Sequence, residues 1–309
     1  MTMKLTNRRL HELRADIAET IAGYRDVGER GKTHVPNLFV GHITRPVPPR
    51  SYIYEPSLCV CVQGEKRVVF GDHQYTYDPD RFLLTSIGLP TLIEVPGASA
   101  QRPYTALQVH LDLSVARQIM AEMETGNSSE ALTESGFGIV PMHPELLDVL
   151  ARLVALLEQP RDVPVLAPLL HREILYRLLS GSAGGYLRQV IRIGSQSHRV
   201  AEAIAWLRTN YASVCRVEEL AELCGMGVST LYRHFQEITT MTPIQYQKHL
   251  RLHEARRLML TEELDAAGAA IQVGYESATQ FSREYRRLFG MPPKRDVTAM
   301  RKGDLVAVP

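Results

Sequence analysis

Two short runs of the chain carry side chains suited to hydrogen bonding along one helical face. In Val217–Phe235, Ala221 stands four residues before Gly225, and Leu231 follows six after it. That spacing fits two helices meeting at a glycine turn: alanine permits close approach, glycine takes the turn conformation, and leucine packs the second helix on the first. Leu231, Phe235 and Ile238 then point inward and leave Ser229, Tyr232, Arg233 and Gln236 outward. The pattern recurs with Ala270 four before Gly274 and Phe281 seven after it. Here Phe281, Tyr285 and Leu288 point inward, and Thr279, Gln280, Ser282, Arg283 and Arg286 outward. Arginine reads guanine through two hydrogen bonds and glutamine reads adenine, whereas serine and threonine hydroxyls take phosphate or a less specific edge. The outward sets are therefore equipped for double-stranded DNA, with Arg233 and Arg283 expected on bases and Arg286 on phosphate. A solvated or phosphate-facing surface is expected for Arg287.

One such pattern recurs in many unrelated helical proteins, but two in tandem are far more specific. Between them, Thr242-Pro243-Ile244-Gln245 is a capping box with proline at the first helical position, opening a helix that runs to about Leu260. At ~1.5 Å per residue this connector is roughly 27 Å long. With its flanking helices it spaces two recognition helices about 34 Å apart, one turn of B-DNA. Ser277-Ala278-Thr279-Gln280 repeats the capping signal. Gly227 stands where a serine cap is common, and Gly268 lies in a helix where glycine costs about 1 kcal/mol against alanine.

The elements that must hold these runs are ordinary globular ones. The chain has 309 residues, 45% hydrophobic and 22% charged, which favours two domains and argues against disorder or a fibrous repeat. No apolar run approaches the ~20 residues of a membrane span, and Met1–Arg9 lacks a signal-peptide core. Cys59, Cys61, Cys215 and Cys224 make no disulfide framework. A cytoplasmic protein is expected. Lys plus Arg total 35 against 34 Asp plus Glu, yet residues 225–302 hold 12 basic and 8 acidic residues, a net of +4. Charge alone fits a solvated helical face, so DNA binding needs the geometric argument.

Leu10, Leu13, Ile17, Ile21 and Tyr24 mark an amphipathic first helix, capped at Thr6 and ending near Gly28–Gly31. From about His34 to Leu113 short β-prone runs follow: Leu58–Val62, Arg67–Phe70, Gln74–Tyr77, Phe82–Thr85, Leu92–Val95 and Ala106–Leu111. Gly71-Asp72 and Asp78-Pro79-Asp80 read as turns, and the whole as a barrel or sandwich with an enclosed interior. Helical periodicity returns in Val115–Met123, Leu146–Leu157 and Leu166–Leu179. The last two stretches fit internal core and a dimer seam equally. Ser180–Gly185 reads as a loop and Gly194–Ser197 as a hinge, with a domain boundary near residues 191–198.

The run Gly274–Pro293 resembles the tandem helix-turn-helix domain of the AraC/XylS family, and Tyr54–Val68, Tyr77–Thr85 and Gly194–His198 resemble the N-terminal domain of one AraC subgroup. The resemblance implies an α+β chain: an N-terminal cupin-like β-barrel with flanking helices over residues 1–193, which senses an effector and dimerises, and a linker at 194–198. An all-α tandem helix-turn-helix DNA-binding domain over 199–300 and a tail at 301–309 complete it. It implies that Ser229, Tyr232, Arg233, Thr279, Gln280 and Arg283 face bases, with Gln236 and Arg286 on the same surfaces. A bacterial transcription regulator is expected, with DNA, a small-molecule effector, a second copy and RNA polymerase as partners, and with no catalytic residue or cofactor.

A metal in such a barrel requires a clustered His-x-His with Glu and a further His. His42, His73 and His110 are instead isolated, and structural roles are expected of them. Cys59 and Cys61 share one face of a strand; with no cation to place beside them, inert buried thiols outweigh a redox or electrophile sensor. Tyr52, Tyr54, Cys59, Cys61 and His110 are the candidates for an effector pocket, with core packing the alternative for the tyrosines. A cupin enzyme carrying a DNA-binding module and a regulator without a ligand are the competing readings.

Overall fold

The computed structural model describes residues 2–26, 31–70, 73–123, 135–192 and 194–301. Helix α1 (Thr2–Gly23) begins ahead of Thr6 and buries Ile17, Ala18 and Ile21. Among the described residues nine strands follow: β1 (Leu38–Ile43), β2 (Val47–Tyr54), β3 (Ser57–Gln63), β4 (Lys66–Phe70), β5 (His73–Tyr77), β6 (Arg81–Thr85), β7 (Leu89–Val95), β8 (Tyr104–His110) and, after helix α2 (Leu113–Met123), β9 (Phe137–Pro141). The Asp78–Asp80 turn forms as expected, Arg81 N–H donating to the Asp78 carbonyl at 3.1 Å; Gly71-Asp72 and Gly28 lie outside the described residues.

The strands make two antiparallel sheets, ordered β1-β8-β3-β6-β9 and β2-β7-β4-β5. Their facing residues mix in one apolar cluster: Tyr54, Val68, Phe70, Tyr77 and Ile93 from the smaller sheet meet Cys59, Cys61, Leu83, Tyr104 and Ala106 from the larger. No strand pairing joins the sheets among the described residues, so the expected barrel is an open sandwich. Its edges give the reason. Among the described residues strand β2 pairs only with β7; it carries Pro48 and Pro49 without N–H donors and shifts register between Val47 and Arg50, so it does not extend a ladder around the corner.

The period-two alternation of side chains serves both sides of the larger sheet. On β8, Tyr104 and Ala106 enter the sandwich, while Leu107 and Val109 face helices α1, α2, α3 (Pro144–Ala155) and α4 (Val163–Ser180). The ambiguity of the leucine-rich helices resolves here. Leu150 and Leu153 are fully buried, so α3 is internal core, whereas α4 leaves Val165, Leu166, Leu169 and Tyr176 exposed. The loop expected over Ser180–Gly185 is confined to residues 181–183, because α4 runs to Ser180 and helix α5 (Gly184–Ile191) starts at Gly184.

Helix α6 (Gln196–Thr209) is capped by the Ser195 hydroxyl accepting from His198 N–H. Then come α7 (Val217–Leu223), α8 (Val228–Thr239), α9 (Pro243–Thr261), α10 (Ala266–Gln272), α11 (Ala278–Phe289) and α12 (Pro293–Arg301). The Thr242–Gln245 box is complete, and the 19 residues of α9 span about 28 Å. Gly268 lies in the first turn of α10, where its N–H donates to Asp265 Oδ1 at 2.7 Å; a methyl group there would crowd that cap.

Candidate nucleic-acid interface and effector site

Both helix-turn-helix units form on the residues that the spacing singles out. Ala221 and Leu231 are buried and Gly225 has φ +60°; Ala270 and Phe281 are buried and Gly274 has φ +86°. At Gly274 a Cβ would also collide with the backbone carbonyl of Ala212, so only glycine fits the turn. Arg251 ties the same junction, donating to the carbonyls of Gly274 (2.9 Å), Tyr211 (2.7 Å) and Ser213 (2.9 Å).

On α8, Leu231, Phe235 and Ile238 are buried, and Ser229, Arg233 and Gln236 are exposed with Tyr232 half-buried. On α11, Phe281 and Tyr285 are buried, Leu288 is half-buried, and Thr279, Gln280, Ser282, Arg283, Arg286 and Arg287 are exposed. Ser277 accepts from Gln280 N–H and caps α11, whereas Gly227 caps α8 without a side chain. The position of α11 is fixed from behind. Asp296 of α12, 1% exposed, accepts two bonds from Arg256 at 2.8 Å and one from the Tyr285 hydroxyl at 2.7 Å. Gln280 donates to Glu284, which also accepts from Tyr275 and Lys248. The result is two separate hydrogen-bonding faces on helices locked by buried aromatics.

The sandwich interior holds four of the five residues expected of a pocket. Tyr52 and Tyr54 stack edge-on with centroids 4.8 Å apart, beside Cys59 and Cys61 on β3. Sequence reasoning missed their main companion, Lys66, which is fully buried with Nζ 5.3 Å from the Tyr54 ring and 5.8 Å from Tyr52. Its signal was parity: Lys66, Val68 and Phe70 alternate onto the buried face of β4. Burial pulls Lys66 down to about 8, with Arg50 adding to the shift and the two thiols opposing it. Burial pushes both thiols up to about 12, only partly offset by Lys66. A cation does stand beside the cysteines, then, but they remain protonated.

His110, the fifth, lies elsewhere. It stacks on Phe39 at 4.3 Å, lines a cleft of about 230 Å³ with His171 and Val115, and is lowered by burial while Glu55 and Arg208 act on it in opposite senses. His42 bonds the Thr105 hydroxyl at 3.0 Å, and His73 packs near Tyr75.

Glu55 and Arg208 belong to a seam between the sandwich and the helical half. Arg208 pairs with Glu55 through both nitrogens. The buried Tyr246 hydroxyl donates to the Gly88 carbonyl at 3.0 Å, Ser51 Oγ lies 2.8 Å from His253 Nε2, and Gly136 N–H donates to the Ile238 carbonyl at 3.3 Å. Apolar side chains continue the sandwich core into α6, α7, α8 and α9, whereas the second helix-turn-helix packs around its own cluster of Ala255, Leu258, Phe281 and Tyr285.

Residues 34–186 match the model of the AraC-type transcriptional regulator N-terminus, and residues 220–297 match that of a helix-turn-helix domain. The HTH-type transcriptional activator RhaS of Escherichia coli O1:K1 is 28% identical over 182 residues, 57% of this chain and 64% of the relative's length. RhaS of Escherichia coli strain SE11 is 30% identical over 161 residues, 52% of this chain and 57% of that one. Among solved structures, apo ToxT from Vibrio cholerae superposes with a TM-score of 0.58 at 11% identity, covering 86% of this chain and 99% of ToxT. ToxT with a bound unsaturated fatty acid gives 0.52 at 10% identity, covering 84% and 94%.

Proposed function

The chain belongs to the AraC family of transcriptional regulators, and from that premise we propose that it binds a specific DNA site through both helix-turn-helix units and answers to a small molecule held in the sandwich. The observation that carries the reading is the pair of exposed faces on α8 and α11, each on a helix whose opposite face is buried. Ser229, Tyr232, Arg233 and Gln236 serve one major groove, and Thr279, Gln280, Arg283 and Arg286 the next. No catalytic step enters this reading.

Residues 1–193 act as the sensing and dimerising part, 194–198 as a linker whose last three residues already form the first turn of α6, 199–300 as the DNA-binding part and 301–309 as a tail. The seam supports coupling: an effector alters DNA binding only if it favours one arrangement of the two halves over another, and the Glu55–Arg208 pair and the Ser51–His253 contact are made in one arrangement. A ligand-responsive reading gains support from ToxT, whose fatty-acid-bound form shares the fold. Dimerisation is assigned to α4, where Leu169 and Tyr176 border a groove of about 440 Å³ shared with Ile119 and Met123 of α2. The regulator works in the cytoplasm and meets RNA polymerase at its promoter.

Selection of bound sequences from random DNA by the full-length chain tests the proposal. A two-part site with its halves about one helical turn apart is expected. Recovery of no preferred sequence by folded protein refutes it.

A further inference from the structure

The interior of the sandwich is rich in donors and poor in acid. Among the described residues, Asp296 in the helical half is the one buried carboxylate. Inside the sandwich, the Lys66 ammonium lies over the Tyr54 and Tyr52 rings, and the mostly buried Arg50 guanidinium acts electrostatically on it. Two further groups point to a ligand. The hydroxyls of Tyr54 and Tyr104 are fully buried and have no partner at normal hydrogen-bond distance, with Tyr77 and Cys61 as polar neighbours in weaker contact. An unsatisfied buried hydroxyl is costly to retain, and two in one sandwich interior are hard to explain by packing alone. The Tyr52 hydroxyl, by contrast, donates to Gln108, which donates on to Ser57.

Resting on the reading of the chain as an effector-responsive regulator, we infer that this interior receives a small carboxylate with an apolar body, its oxygens taking hydrogen bonds from Lys66, Tyr54 and Tyr104. A carboxylate is an acceptor-only group and complements this set of donors. The stacked Phe70 and Phe137 rings, 3.9 Å apart, and the Leu83 and Ile93 side chains provide an apolar wall for the rest of the molecule. The residues also decide against covalent capture of an electrophile. Reaction at Cys59 or Cys61 requires a thiolate, and both thiols are held protonated by burial. They act as a polarisable wall on β3. The acid must leave water to enter, and the Lys66 charge compensates for that loss only if the two meet directly.

Thermal shift and calorimetric titration of the full-length protein test the inference, with cyclohexanecarboxylate as probe and cyclohexanecarboxamide and cyclohexylmethylamine as neutral and cationic counterparts. The carboxylate is expected to raise the melting temperature in a dose-dependent way and the other two to leave it unchanged. Tyr104→Phe, which keeps the shape of the site, is expected to weaken carboxylate binding about tenfold, and Lys66→Met to abolish it. A carboxylate that binds both variants as it binds the wild type, or an equal response to the carboxamide, overturns the assignment. DNA binding of the same preparation separates this from the regulator reading. Protein that binds its selected site yet responds to none of the probes overturns the carboxylate site alone, and protein that binds no DNA overturns the reading beneath it.

Discussion

Replacing Lys66 by methionine should make the ligand-free protein more stable. Methionine has similar length and no charge, and the site is fully buried between the sheets. The lysine falls from its ordinary 10.5 to about 8, a difference worth about 3.5 kcal/mol at ~1.4 kcal/mol per unit. Loss of the lysine's contacts, those to Tyr54 and Tyr52 among them, returns part of that, on the order of 1 kcal/mol, leaving a gain of about 2.5 kcal/mol at pH 7. The pH dependence follows from the direction of the shift. Because the folded chain binds the Lys66 proton less tightly than the unfolded chain, the penalty is fully present below pH 8. It fades as pH rises from 8 to 10.5, where the unfolded lysine also becomes neutral. Urea unfolding of both proteins at pH 7, 8.5 and 10.5, followed by far-ultraviolet circular dichroism, measures the difference. The advantage of Lys66→Met should be largest at pH 7 and shrink toward pH 10.5. A variant less stable than the wild type at pH 7, or an advantage that does not change with pH, would refute the reasoning. Stabilisation together with a lost ligand response is the pattern of a residue kept for binding at the expense of the fold.

Arg233→Ala and Arg283→Ala should each weaken binding by about 1 to 3 kcal/mol and relax preference at one base pair. Arg286→Ala should weaken all sites equally and reduce the slope of log affinity against log salt by roughly one. A panel of single-base-pair site variants at two salt concentrations separates the two, and uniform loss for Arg233→Ala and Arg283→Ala would assign them to phosphate. Leu169→Glu on the exposed face of α4 should convert dimer to monomer in analytical ultracentrifugation, with secondary structure unchanged; an unaltered sedimentation coefficient moves the seam off this helix. Arg208→Ala leaves Glu55 without its arginine, and because the pair is partly exposed the seam should weaken by about 0.5 to 1 kcal/mol. Fluorescence of Trp206, two residues away, should then respond differently to denaturant than in the wild type, and identical curves would exclude this pair from the seam.

What could be read in the sequence was the part built from local periodicity. The inward sets on α8 and α11, the turns at Gly225 and Gly274, and the Thr242 box all depend on neighbours within one or two helical turns, and each forms as expected. The sandwich depended on partners far along the chain. Strand β2 was hidden by Pro48-Pro49, which an edge strand tolerates, and β1 and β9 are short edge strands too. Leucines at α3 and α4 have the same spacing, and only the packing of α1 over α3 separates core from exposed face. Lys66 was passed over because a lysine ordinarily marks solvent, and its alternation with Val68 and Phe70 was the weaker cue. His110 follows the inward parity of β8 but is its last residue, so it lines the cleft with His171 rather than the interior.

The junction at Gly274 separates two properties that natural selection can act on. The separation of the two reading helices depends on backbone, through a glycine without room for a side chain against Ala212 and through the carbonyls held by Arg251. The outward residues other than the half-buried Tyr232 have no such constraint, since they are exposed. Over evolutionary time the bases preferred by each half can therefore drift one substitution at a time, while the distance between the halves stays fixed. A lineage descended from this chain would acquire new target genes by changing what is read at two positions along the DNA, with the interval between those positions inherited unchanged.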